Sequence, residues 1–111
     1  MLITVAELPE YARQAEKLLS ESERRDVIDY LASHPKAGVL MRRTGGVRKL
    51  RWSRGARGKS GGVRVVYYFH SDRIPLYLLA LFGKNEQTNV SAAECNELAA
   101  LVKQLIEESG L

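Results

Sequence analysis

Arg48, Lys49 and Arg51 fall within one short stretch, Arg64 opens the next run of β-branched residues, and Lys59 sits in the glycine-rich segment between them. Cations spaced this way suit phosphate chemistry. Arginine presents a planar fork to a phosphate, and a lysine crowded by other cations has a lowered pKa that lets it exchange a proton near neutrality. If the polyanion is RNA, metal-free cleavage needs three things: a deprotonated 2′-OH, a stabilised dianionic phosphorane and a protonated leaving 5′-oxygen. Clustered Arg and Lys can supply all three. Counting by alternation from Arg64, Val66 and Tyr68 share its face, so Tyr68 can stack on a base while Tyr67 points into the core. The competing reading is that both tyrosines only stabilise the sheet.

These residues belong to a longer strip. From Lys36 to His70 there are ten Lys or Arg and no Asp or Glu, in a chain of 111 residues carrying 17 basic and 13 acidic residues for a net charge of +4. Basic residues alternating with apolar ones can be the solvated face of a half-buried sheet. A solvated face usually mixes signs, however, because clustered like charges repel, so the strip calls for a polyanionic partner. Other chemistries are poorly supported. Gly58-Lys59-Ser60 resembles the end of a P-loop, but that loop needs a glycine where Ser53 stands. Glycines 58, 61 and 62 are better read as letting the backbone come close to a partner. Cys95 is the sole cysteine, which excludes an internal disulfide, and with only His34 and His70 beside it a zinc site is not credible. No cofactor is called for. No apolar run is long enough to cross a membrane and Met1–Val5 lacks signal-peptide character, so the expected compartment is the cytoplasm.

The elements that must hold the strip follow from periodicity. The length and the 45% apolar content predict one folded domain over residues 1–111. Leu2 to Val5 reads as a short strand. Pro9 starts a helix whose stripe is Tyr11, Ala12, Ala15, Leu18 and Leu19. Ser20 with Glu23 is a capping box that opens a second helix to about Ser33, ended by His34-Pro35 and Gly38. The two should pack as a helical hairpin. Three strands follow, at Val47–Trp52, Val63–Phe69 and Leu76–Phe82, the last two forming an antiparallel hairpin through Ser71–Pro75. Ser91 with Glu94 is a second capping box, opening a helix with Leu98, Leu101, Val102 and Leu105 on one face. The expectation is an α+β fold of order β-α-α-β-β-β-α: a small, mostly antiparallel sheet with two N-terminal helices and a C-terminal helix.

Three blocks, Gly45–Arg51, Gly58–Tyr68 and Leu81–Glu86, together resemble the RelE/HigB-like toxins of bacterial type II toxin–antitoxin systems, the HigB-2-like branch in particular. The resemblance implies a ribosome-dependent mRNA endonuclease that enters the A site, cuts the message during translation and is neutralised by a cognate helix-turn-helix antitoxin. It also implies a toxin that is monomeric outside that complex. Carried over by position, Lys49 and Arg51 match paired basic residues on the first central strand, and Arg64 matches a phosphate-binding arginine on the next. Lys84 with Asn85 lies where the RelE pattern has a basic pair. Only Lys84 is basic here. A tyrosine beyond that strand is replaced by Asn89, Val90 and Ser91, so its role does not transfer.

The resulting assignment gives Arg51 and Arg64 the scissile phosphate and Lys84 or Lys59 the proton transfers. Arg48, Lys49, Arg54, Arg57 and Tyr68 become RNA contacts. Metal independence is expected because no carboxylate lies near the strip. Two alternatives stay open: a non-enzymatic RNA-binding module, and an inactivated toxin acting through its antitoxin. A DNA-binding transcription factor ranks below both, because the basic residues sit on strands and a loop rather than on a recognition helix.

Overall fold

The computed structural model describes residues 3–53, 62–83 and 91–111. In chain order the elements are β1 (Val5–Glu7), α1 (Pro9–Leu18), α2 (Glu21–Ser33), β2 (Val39–Leu40), β3 (Val47–Trp52), β4 (Val63–Tyr68), β5 (Leu76–Gly83) and α3 (Ala92–Ser109). The five strands form one sheet in the order β1-β5-β4-β3-β2. Among the described residues only β1 pairs in parallel, against β5; the remaining pairs are antiparallel. The α+β expectation and the element order hold, with β2 added.

Local signals account for the helix starts. Ser20 and Ser91 both form complete capping boxes, each side chain accepting from the N–H three residues on while Glu23 and Glu94 reach back to the cap N–H. Pro9 begins α1, where its missing N–H costs nothing.

The two faces of the sheet carry separate cores. On one face Tyr11, Ala15 and Leu19 from the α1 side and Val27 and Leu31 of α2 pack with Val63, Val65, Tyr67, Leu76, Leu78 and Leu81. Both helices contribute to this cluster, α1 lying against β5 and α2 against β1. On the other face Val102 and Leu105 of α3 pack with Val47, Val66, Tyr68 and Leu79. Alternation along β4 feeds both, Val63 and Val65 going one way and Val66 and Tyr68 the other, with a register shift between Val66 and Tyr67.

Two strand expectations need correction. The first strand lies at Val5–Glu7 rather than Leu2–Val5, because its ladder is set by β5, whose pairing starts at Leu76 opposite Val5, just after Pro75. The two-residue β2 has no counterpart in the sequence reading. It is too short to show a period, and Val39 and Leu40 are 74% and 57% exposed, so no apolar face marks it. What creates β2 is the turn that returns the chain into β3. Arg43, Gly45 and Gly46 all have positive φ, and the buried Thr44 hydroxyl donates to Met41 O at 2.7 Å and accepts from Val47 N at 3.0 Å. A side chain on Gly46 would also press on Tyr68, whose Cε1 lies 3.2 Å from the Cβ position.

Candidate nucleic-acid interface

β3 and β4 run antiparallel with Arg51 directly opposite Arg64, Lys49 opposite Val66 and Val47 opposite Tyr68. Directly paired residues share a face, so Lys49, Arg51 and Arg64 form one cationic group on the α3 side of the sheet. Arg64 is also opposite Phe82 of β5. Arg51 is exposed, and Lys49 and Arg64 are half-buried. Two arginines side by side on adjacent strands repel, and among the described residues neither has a carboxylate partner. The Arg64 guanidinium runs back beside Gly62, with Nη1 3.7 Å from the position a Cβ would take there. It therefore reaches the end of the sheet where β3 finishes, β4 begins and Gly83 closes β5 opposite Val63. An arginine pair so placed can grip a phosphate from two sides and stabilise charge developing on it.

Two of the proposed RNA contacts are relocated by the fold. Arg48 projects to the opposite face, where its Nη1 donates to Gly38 O at 2.8 Å and to Lys36 O at 3.2 Å. Its guanidinium serves as a strut for the segment after α2, not as an open phosphate contact. Its strand partner Tyr67 completes the same strut, the hydroxyl accepting from Gly38 N at 2.8 Å. Burial pushes the Tyr67 phenol above its ordinary pKa, while the Gly38 N–H and Arg48 pull the other way. Gly38 has to be a glycine: a Cβ would lie 2.9 Å from Tyr67 Cε1 and Oη. Tyr68 does lie on the Arg64 face, as alternation required, yet it is only 6% exposed in the α3-side core. A ring packed there offers no open face to a base, and the same burial raises its pKa. Lys59, Lys84, Arg54 and Arg57 lie outside the described residues.

Beyond Phe82 the cationic face gives way to a cleft of about 490 Å³ lined by Val66, Ala80, Phe82, Leu98 and Leu101, with Glu10, Glu94 and Glu97 around it. The cleft adjoins the cationic row, since Phe82 is the strand partner of Arg64 and Val66 is its next neighbour on the same face. Sequence reasoning also passed over the Arg48–Gly38–Tyr67 strut. No local signal could have found it, since it joins positions 38 and 67 through tertiary pairing. Among the described residues no helix is long and apolar enough to cross a membrane.

The family model for the RelE toxin of the RelE/RelB toxin–antitoxin system matches residues 9–110 of this chain. The chain belongs to the RelE toxin family. It is thus of the toxin type within a toxin–antitoxin pair, and membership implies an antitoxin partner. The fold is similar to that of E. coli toxin RelE, solved in the free state as a double arginine-to-alanine mutant. The two superpose with a TM-score of 0.57 at 19% identity, over 95% of this chain and 99% of that one. The resemblance read from the three sequence blocks is confirmed at the level of the family.

Proposed function

We propose that this RelE-family toxin is a metal-independent endoribonuclease that cuts mRNA in the ribosomal A site and so stops translation. The observation that carries the reading is the directly opposed Arg51–Arg64 pair, without carboxylate partners among the described residues, at one end of the sheet. In the proposed reaction the 2′-oxygen attacks the adjacent phosphorus, a dianionic phosphorane forms between the two guanidinium groups, and the 5′-oxygen leaves with a proton. Products are a 2′,3′-cyclic phosphate and a 5′-hydroxyl. Lys84 or Lys59 handles the proton transfers, and Lys49 holds a neighbouring phosphate, with Arg54 and Arg57 as further backbone contacts. Arg48 and Tyr68 are left out of this assignment because one is a strut and the other is core. Within the family the lysine- and arginine-rich strip favours the HigB-2-like branch. The partner is a helix-turn-helix antitoxin, outside whose complex the toxin is a cytoplasmic monomer.

Mapping mRNA ends in cells expressing the toxin tests the reading. Cleavage positions in phase with the reading frame are expected with the native chain. With Arg64→Ala they should vanish together with growth inhibition, while the circular-dichroism spectrum is unchanged. Full toxicity from Arg64→Ala would refute the site, and growth inhibition without new mRNA ends would favour a binding module over an enzyme. A 2′-deoxy nucleotide placed 5′ of the scissile phosphate should block cleavage on purified ribosomes.

A further inference from the structure

On the sheet face away from Lys49, Arg51 and Arg64, three aromatic rings gather at the end of α2. Tyr30 stacks on His34, with ring centroids 4.7 Å apart and planes 20° apart, and Trp52 meets Tyr30 edge-on at 5.6 Å. The pair is open to solvent: Tyr30 is 38% exposed and His34 is exposed as well. The His34 ring is held by Nδ1 against Tyr30 O at 3.1 Å. Beside it lies a shallow hollow of about 510 Å³ lined by Tyr30, His34, Pro35, Lys36 and Ala37. The Lys36–Gly38 backbone that borders it is tied at three points by Arg48 and Tyr67.

The position of Trp52 links this cluster to the phosphate site. Trp52 follows Arg51 in β3, so the two side chains leave the strand on opposite faces. The short β2 covers β3 only at Arg48 and Lys49, and from Leu50 to Trp52 this edge has no strand partner among the described residues. A single strand gripped at Arg51 and Arg64 can round that bare edge and bring a flanking base to the aromatic rings. We propose that Tyr30, His34 and Trp52 form a base-stacking subsite for single-stranded RNA, with Lys36 neutralising a phosphate beside it. The proposal rests on the RNA-cleaving reading and extends it to a nucleotide flanking the one cut. Aromatic rings next to a cation are the general means of holding bases without reading their sequence.

The test uses the purified full chain and a labelled 2′-O-methyl RNA of about ten nucleotides, a span that covers both sites. It is not cleavable, so binding is read apart from catalysis. Because Trp52 is the sole tryptophan, its emission should be quenched on binding. The double variant Tyr30→Ala/His34→Ala should bind about tenfold more weakly by anisotropy, the weight of roughly one stacked base. An abasic version of the RNA should lose the same factor against the native chain and little against the variant. Equal binding of intact and abasic RNA, or a Trp52 emission unmoved by RNA, overturns the subsite. Failure of the phosphate site is distinct: Arg51→Ala/Arg64→Ala would then keep native affinity while the aromatic variant still lost its factor. Loss of affinity for an acidic peptide but not for RNA in the aromatic variant would mark a protein-docking surface and overturn the proposal.

Discussion

Arg51 and Arg64 stand opposite each other on neighbouring strands, an arrangement that works against folding. Directly paired like charges on adjacent strands destabilise a sheet by a few tenths to about 1 kcal/mol. Arg51→Ala should therefore raise the unfolding free energy from urea melts at low salt by an amount in that range, and the gain should shrink as salt screens the pair. Activity should fall at the same time. A merely structural arginine would show the reverse, with stability and activity lost together. Much of this site was legible, because a period of two puts Lys49, Arg51 and Arg64 on one face once the strands are known. The burial of Tyr68 was not, because it depends on where α3 docks, and Arg48 joined the RNA contacts in the sequence reading although the same period turns it away from Arg51.

Elements differ in how far their causes reach along the chain. Both capping boxes were readable in the sequence because each closes within four residues, Ser20 to Glu23 and Ser91 to Glu94. The β2 strand and the shift of β1 were not, because both are set by partners distant in sequence. The strut from Arg48 and Tyr67 to Gly38 belongs to the same class and supports a sharp comparison between two buried phenols. Tyr67→Phe leaves the Gly38 N–H without its acceptor and should cost about 1–3 kcal/mol in urea unfolding. Tyr11→Phe removes a buried hydroxyl that has no hydrogen-bond partner among the described residues. It should leave stability unchanged or slightly increased near neutral pH.

For the molecule as a whole, these phenols tie stability to alkaline pH. Burial raises the pKa of Tyr11, Tyr67 and Tyr68 above the ordinary 10.0, with Glu7 adding to the effect at Tyr11. A raised value means that the folded state holds the proton more tightly than the unfolded chain. The associated stability is fully present below about pH 10 and is lost as pH climbs from there through the folded-state values. Urea midpoints should be level across neutral pH with respect to these groups and fall above about pH 10, and Tyr11→Phe should flatten that fall. An equally steep decline in the variant would assign the loss to other groups.

The parallel pairing of β1 with β5 has a consequence in time. β1 is made first, but its partner begins at Leu76, after α1, α2 and three further strands have been synthesised. Antiparallel β3 and β4 are close neighbours in sequence, whereas β1 must wait for a contact of long sequence separation, which slows folding. During synthesis on the ribosome the cationic hairpin of β3 and β4 therefore emerges before the sheet that supports it can be closed. The paired cations of β3 and β4 thus exist in the nascent chain before the frame that fixes them, so folding of the last third of the chain sets when Arg51 and Arg64 reach their final arrangement.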